Sequence, residues 1–147
     1  MEENVTEKSF KDLEFVRVIQ PLMLSHIPKH LFEQVKDRTF DIDILLKLSQ
    51  EIISNPSQLF YVLVNKDNEI KGVFWISLNV LSNCIDVNLF SIDKEYQFAE
   101  AMKEALILIS TIQKNATVRV LETRTKALEE IGFKKTKTMM IIENTEI

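Results

Sequence analysis

The stretch Ala127-Leu128-Glu129-Glu130-Ile131-Gly132-Phe133 reads as a short helix that stops at a glycine before a last strand. Glycine suits such a stop because it enters backbone conformations that are costly for other residues. It stands out here because an average chain is about 7% glycine. These 147 residues hold two, Gly72 and Gly132. The other one follows the polar turn Lys66-Asp67-Asn68-Glu69 and sits in the strand-like run Gly72-Val73-Phe74-Trp75-Ile76.

Working outward from the closing helix, Thr117-Val118-Arg119-Val120-Leu121 predicts a strand before it, and residues 136–142 predict one after it. Upstream lies the longest helix, from about Tyr96 to Gln113. Phe98, Ala101, Met102, Ala105, Leu106, Leu108, Ile109 and Ile112 recur there at spacings of three and four. The run from Leu106 to Ile109 covers more than one helix face, so this helix is expected to be deeply packed or to share in a subunit contact. Leu59–Val64, the polar turn and Ile70–Leu81 form a hairpin, and Ser82-Asn83 turns the chain into Cys84–Ile92. In that strand Ile85, Val87 and Leu89 are expected to face one way, Asp86 and Asn88 the other.

The first third is a strand around 13–19, a helix opened by Pro28, and a helix capped by Asp41 that runs to Asn55-Pro56. Residues 1–9 are polar and expected to be frayed. Hairpins followed by strand–helix–strand–helix–strand indicate an α/β domain, residues 1–147, whose mixed sheet carries helices on both faces. Apolar residues make up 46% of the chain and charged ones 27%, which excludes a disordered class. No apolar run approaches the roughly 20 residues that cross a bilayer, so no membrane association is expected. A net charge of −4 gives no positive footprint for nucleic acid. Lys134, Lys135 and Lys137 read better as a solvated strand edge than as a phosphate stripe. The lone Cys84 allows no internal disulfide, and the acidic start Met1-Glu2-Glu3-Asn4 is no secretion signal, so a cytoplasmic setting is the expectation.

From Leu59 to Glu143 this order, with Gly72 in the hairpin and the Gly132-Phe133 ending, resembles the GNAT superfamily of N-acyltransferases. The resemblance implies a GNAT-like mixed sheet and an acyl group moved from acetyl-CoA, or another acyl-CoA, to an amine on a small molecule or a protein. It places the pantetheine arm of the coenzyme along the backbone of Phe90 to Ile92, with Gln97 leading the turn that takes the pyrophosphate. In the family that turn reads Gln/Arg-x-x-Gly-x-Gly/Ala, its small residues letting backbone N–H groups approach the phosphates. Here Glu100 stands for the first glycine and Met102 for the second small residue, and no glycine lies between 73 and 131. Met102 adds bulk where close approach is wanted. Glu100 brings a carboxylate toward the phosphates, and like charges ~4 Å apart repel by about 4 kcal/mol at an effective dielectric near 20. Leu128 takes the place of a tyrosine that many members use to protonate the departing thiolate.

Asp86, on the fourth strand with Asn88, is the candidate general base; the alternative is a polar pair on a partly exposed sheet face. Tyr96 offers a hydroxyl near the cofactor turn or packs at the helix entrance. His26 and His30 are four apart, but Pro28 between them spoils a helical metal pair, and no metal site is expected. Cys84 reads as a small buried hydrophobe, and Phe74 and Trp75 as core or interface residues. Two functions therefore stand side by side: a divergent acyl-CoA N-acyltransferase, or its non-catalytic descendant, and a binding or assembly module with a protein partner or a second copy. An open cleft beside Phe90–Ile92 favours the first, a filled one the second.

Overall fold

Among the described residues a five-stranded sheet organises the chain, in spatial order β1-β2-β3-β4-β5. Its strands are β1 (Glu14–Arg17), β2 (Gln58–Val64), β3 (Ile70–Asn79), β4 (Cys84–Ile92) and β5 (Thr117–Val120). The computed structural model describes residues 8–35, 40–120 and 125–134. The first four strands are antiparallel neighbours and β5 runs parallel to β4, so the sheet is mixed. The parallel step requires a crossover, supplied by α5 (Phe98–Ile112). Four short helices precede the hairpin: α1 (Leu22–Ser25), α2 (Lys29–Glu33), α3 (Ile42–Lys47) and α4 (Ser49–Ser54); α6 (Thr125–Glu130) follows β5. The strand expected at 136–142 lies outside the described residues, as do Lys135 and Lys137.

The two sheet faces carry two separate cores. Tyr61, Phe74, Ile76, Ile85, Val87, Phe90 and Ile92 pack against Ala101, Met102, Ala105 and Ile109 of α5, with Leu128 of α6 joining them. Phe60, Val62, Val73 and Leu89 pack instead against Leu24, Leu31, Phe32 and Leu45 of α1, α2 and α3. Burial on this scale stabilises by about 25 cal/mol per Å² of apolar surface, which explains why α5 needs no side-chain cap at Gln97. Its apolar run behaves as a helix too wide for one face. Leu106 and Leu108 are half-buried against the core, while Ile107 stays 57% exposed.

Several local expectations are met and several are displaced. The Asp41 carboxylate accepts the N–H groups of Asp43 and Ile44 and so caps α3. The single helix expected after it is broken at Leu48, whose backbone leaves the helical region at φ −97° and ψ 15°, and α4 starts anew. Gly132 holds φ +109° directly after α6, where a side chain would be strained. Gly72 is needed for a different reason: a Cβ there would lie 3.0 Å from the Ser91 carbonyl oxygen and 3.2 Å from Leu63. Among the described residues the other left-handed positions belong to asparagines, Asn68, Asn83 and Asn115, which is how so few glycines suffice there. Lys8 and Ser9 fall in the segment expected to be frayed, yet they are tied down. Lys8 bridges to Tyr96, and Ser9 Oγ accepts the Lys11 N–H.

Candidate functional site

The alternation expected along β4 fails at one residue, and the site begins there. Trp75 pairs with Leu89 while the next residue of β3, Ile76, pairs with Val87, so Asn88 is the extra residue of a β-bulge. Up to Val87 the inward residues serve the α5 core. After the bulge Leu89 turns to the opposite core, on the same side as Asn88, instead of sharing a face with Ile85 and Val87. The bulge thus places consecutive polar and apolar side chains on the face of α1–α4.

On that face the polar residues are joined. The Trp75 Nε1–H donates to Gln58 Oε1 at 2.7 Å, Ser77 Oγ donates to the same oxygen at 2.8 Å, and Asn88 Nδ2 donates to Ser77 Oγ at 2.5 Å. Each partner is fixed by the next, so the Asn88 amide is aimed rather than free to rotate. The Trp75 ring is held between Phe60, stacked at 5.5 Å, and Phe40, edge-on at 5.3 Å. Gln58, Trp75, Ser77 and Asn88 form the floor of a solvent-open pocket of about 320 Å³, with α4 contributing Glu51 and Ile52 to its wall. Such a cavity is of the size that takes small molecules, an apolar body with a few placed polar groups.

Asp86 also lies on β4 as the register partner of Ser77, though it is not among the residues that line this pocket. Its two oxygens accept Arg119 Nε at 2.6 Å and Nη2 at 2.9 Å across the β4–β5 step, where Asp86 and Arg119 are register partners. The bidentate hydrogen bond, and then the carboxylate charge, raise the Arg119 pKa further above its ordinary value. A carboxylate has about four lone-pair sites, so Asp86 keeps acceptor capacity beyond the fork. Its side chain is 37% exposed, which leaves that capacity within reach of a ligand.

The far end of β4 is built differently. Phe90 and Ile92 are buried in the α5 core, and Ser91 is fully buried on the other side. Gln34, just after α2, sends its Nε2 to Ser91 Oγ at 2.7 Å and to the Ile92 carbonyl at 2.6 Å. A shallow cavity of about 390 Å³ adjoins it, lined by His30, Glu33, Gln34, Asp93 and Lys94. His30 Nε2 is 3.4 Å from Asp93 Oδ2, so this histidine faces a carboxylate and not His26. Among the described residues no three His, Cys, Asp or Glu side chains are grouped to hold a metal ion.

Gln97 is exposed and extended, immediately before α5, and its carbonyl accepts the Ala101 N–H at 3.1 Å. Tyr96 is buried at the helix entrance; burial first, and then Glu95, raises its phenol pKa and keeps it neutral. Two residues of the expected turn already have surroundings of their own. Met102 is 1% exposed and belongs to the core, so its bulk points away from the turn. Glu100 is already partnered: its Oε1 accepts the N–H of Phe10 at 2.6 Å. Leu128 is likewise packed into the core, and Cys84 is half-buried rather than buried, its thiol directed at the Ser82 carbonyl. The sequence reading missed Glu51, Gln58, Ser77 and Arg119. Ser77 and Arg119 each interrupt an apolar strand run at the register of Asp86, a signal available once the pairing is known.

No protein-family model and no curated protein matches this sequence. Solved structures do match its fold. The spermidine/spermine N-acetyltransferase SpeG from Vibrio cholerae is 16% identical, with a TM-score of 0.67 over 86% of this chain and 82% of that one. The aminoglycoside antibiotic 6'-N-acetyltransferase AAC(6')-Ih from Acinetobacter baumannii is 11% identical, with a TM-score of 0.68 over 90% and 97% of the two chains. A predicted acetyltransferase from Clostridium acetobutylicum, solved with acetyl-CoA, is 10% identical, with a TM-score of 0.64 over 92% and 98%. The fold is that of the GNAT acetyltransferases, a mixed five-stranded sheet flanked by helices.

Proposed function

We propose that this chain is an acyl-CoA-dependent N-acyltransferase whose acceptor is a small cationic amine. The observation that carries the reading is the open pocket at the β4 bulge, in a fold whose solved relatives are acetyltransferases. The pocket combines a carboxylate at Glu51, the indole of Trp75 and the oriented amide of Asn88, a set suited to an ammonium-bearing ligand. Two of the structural relatives are named for spermidine/spermine and for an aminoglycoside, which is in keeping with that choice.

The coenzyme, when bound, supplies the acyl group as a thioester. On the chain's side, Phe90 to Ile92 offer the strand along which it would lie, and Gln97 leads into the helix whose positive end would face its phosphates. The residues present fit this role: Ala99 and Ala101 are small, Met102 is turned into the core, and no side chain caps the helix at Gln97. Glu51 would attract the protonated amine into the pocket. Asp86, held in place by Arg119, would take the proton as the nitrogen becomes nucleophilic. With Leu128 buried, no phenol from α6 is assigned to the leaving thiolate.

A second reading, a module that keeps the sheet without catalysis, is favoured by the partners already present at the far end of β4: Gln34 on Ile92 and Phe10 on Glu100. Calorimetric titration with acetyl-CoA, followed by a thiol-release assay over a panel of polyamines and aminoglycosides, separates the two. Saturable binding with amine-dependent thiol release supports the acyltransferase. Absence of both heat and turnover rejects it in favour of the module.

A further inference from the structure

The open pocket at the β4 bulge has a single formal charge in its lining. Glu51 carries it, in the first turn of α4, and its carboxylate has no ion-pair partner among the described residues. The polar groups of the floor are neutral and largely spent on one another. Trp75 Nε1–H and the Ser77 hydroxyl take both lone pairs of Gln58 Oε1, and Ser77 Oγ accepts one N–H of Asn88. The Asn88 carbonyl oxygen remains as an acceptor, held by that chain of bonds. Asp86, the register partner of Ser77, adds no net charge because Arg119 matches it.

The rest of the wall is apolar. Leu48 is 46% exposed at the break between α3 and α4, and Ile52 lies one helical turn further on, its N–H donating to the Leu48 carbonyl at 3.0 Å. The Trp75 ring continues this surface, backed by Phe60 and Phe40. Such carbons exchange water for a hydrocarbon chain favourably. They cannot replace the water around an ammonium group, whose burial without a partner is costly.

We propose that this pocket selects an amine with one positive charge on an apolar body and discriminates against polycations. As an acceptor class this narrows the acyltransferase reading, on which it rests. Glu51 and the Asn88 carbonyl supply what one ammonium group needs, and Leu48, Ile52 and Trp75 take its hydrocarbon. A second ammonium group finds no carboxylate in the lining. It has to stay in water, and it holds its end of the chain off the apolar wall.

Trp75 is the only tryptophan of the chain, so its emission reports occupancy of the pocket without coenzyme or turnover. The full chain is titrated with hexylamine, methylamine, hexanol and spermidine at constant ionic strength. Hexylamine is expected to shift the emission saturably and to bind about tenfold more tightly than methylamine, a factor that two buried methylene groups supply. It is expected to exceed hexanol about two- to fivefold, the scale of an exposed ion pair, and spermidine by about fivefold. Leu48→Asp adds a second carboxylate at the α4 N-cap, a position that favours aspartate. With its fold checked by thermal melt, it is expected to raise spermidine affinity about two- to fivefold and to weaken hexylamine. Spermidine binding the unaltered chain as tightly as hexylamine overturns the proposal, and so does an emission that answers none of the four compounds. Thiol release from acetyl-CoA with spermidine but not with hexylamine also overturns it while keeping the acyltransferase. If hexylamine shifts the emission but acetyl-CoA gives neither heat nor thiol, the acyltransferase reading fails and the acceptor role with it, and the selectivity stands as a property of binding alone.

Discussion

The two ends of β4 solve the same problem in opposite ways. At the bulge, polar groups of the sheet satisfy one another side by side: Trp75 and Ser77 share Gln58, and Asn88 leans on Ser77. Because those partners lie within the sheet surface, the space above them stays open. At the Ile92 end, the polar groups are satisfied by segments laid over the strand and the helix that follows, Gln34 on one face and Lys8–Phe10 on the other. The lesson is that a satisfied polar group does not by itself reveal a closed site. What decides is whether its partner lies in the floor or across the mouth.

The sharpest way to break this contrast is at the open end. Asp86→Asn keeps the shape of the side chain but removes its capacity to take a proton. It is expected to lower kcat by about 10²- to 10⁴-fold with little change in the melting temperature, read in the thiol-release assay. An unchanged kcat would reduce the Asp86–Arg119 fork to a strand clip. At the covered end, Met102→Ala is expected to destabilise the protein by about 2–5 kcal/mol, as for other buried large-to-small changes, in urea unfolding. Were Met102 an obstacle in the turn, the same substitution would instead tighten acetyl-CoA binding at little cost.

Gly72→Ala probes how closely β3 packs against the covered end of β4. The added Cβ would meet backbone at Ser91, which cannot swing aside, so a loss of about 1–3 kcal/mol is expected. Denaturant unfolding measures it, and a neutral result would mean that the two strands part easily there. The smallest effect belongs to the pocket wall. Glu51→Gln is expected to raise KM for a cationic amine about two- to fivefold with kcat unchanged, the scale of an exposed ion pair. A fall in kcat with constant KM would move Glu51 from amine binding to chemistry.

Much of this fold was legible locally. The β3–β4 hairpin, the bounds Cys84–Ile92, the crossover helix and the Asp41 cap all follow from spacing and turn chemistry within a few residues. The GNAT resemblance rested on that order and on Gly132, where α6 does stop. The site was legible in part. Asp86 and Asn88 do share a face, but regular alternation also put Leu89 with Ile85, and the bulge reversed that. A bulge depends on how β3 and β4 settle against each other between two cores, which no period-two pattern contains.

Sequence by itself therefore determined most of the elements among the described residues, their order and the residue types that could carry chemistry, because helices, strands and caps are set by neighbours a few positions apart. Tertiary structure decided which partner each of those residues meets. Glu100 found its partner 90 positions away at Phe10, and Asp86 found Arg119 33 positions away across a parallel step. Those pairings exist only once the sheet has closed and α5 has crossed it, and the chemistry of a carboxylate is set by the donor that reaches it.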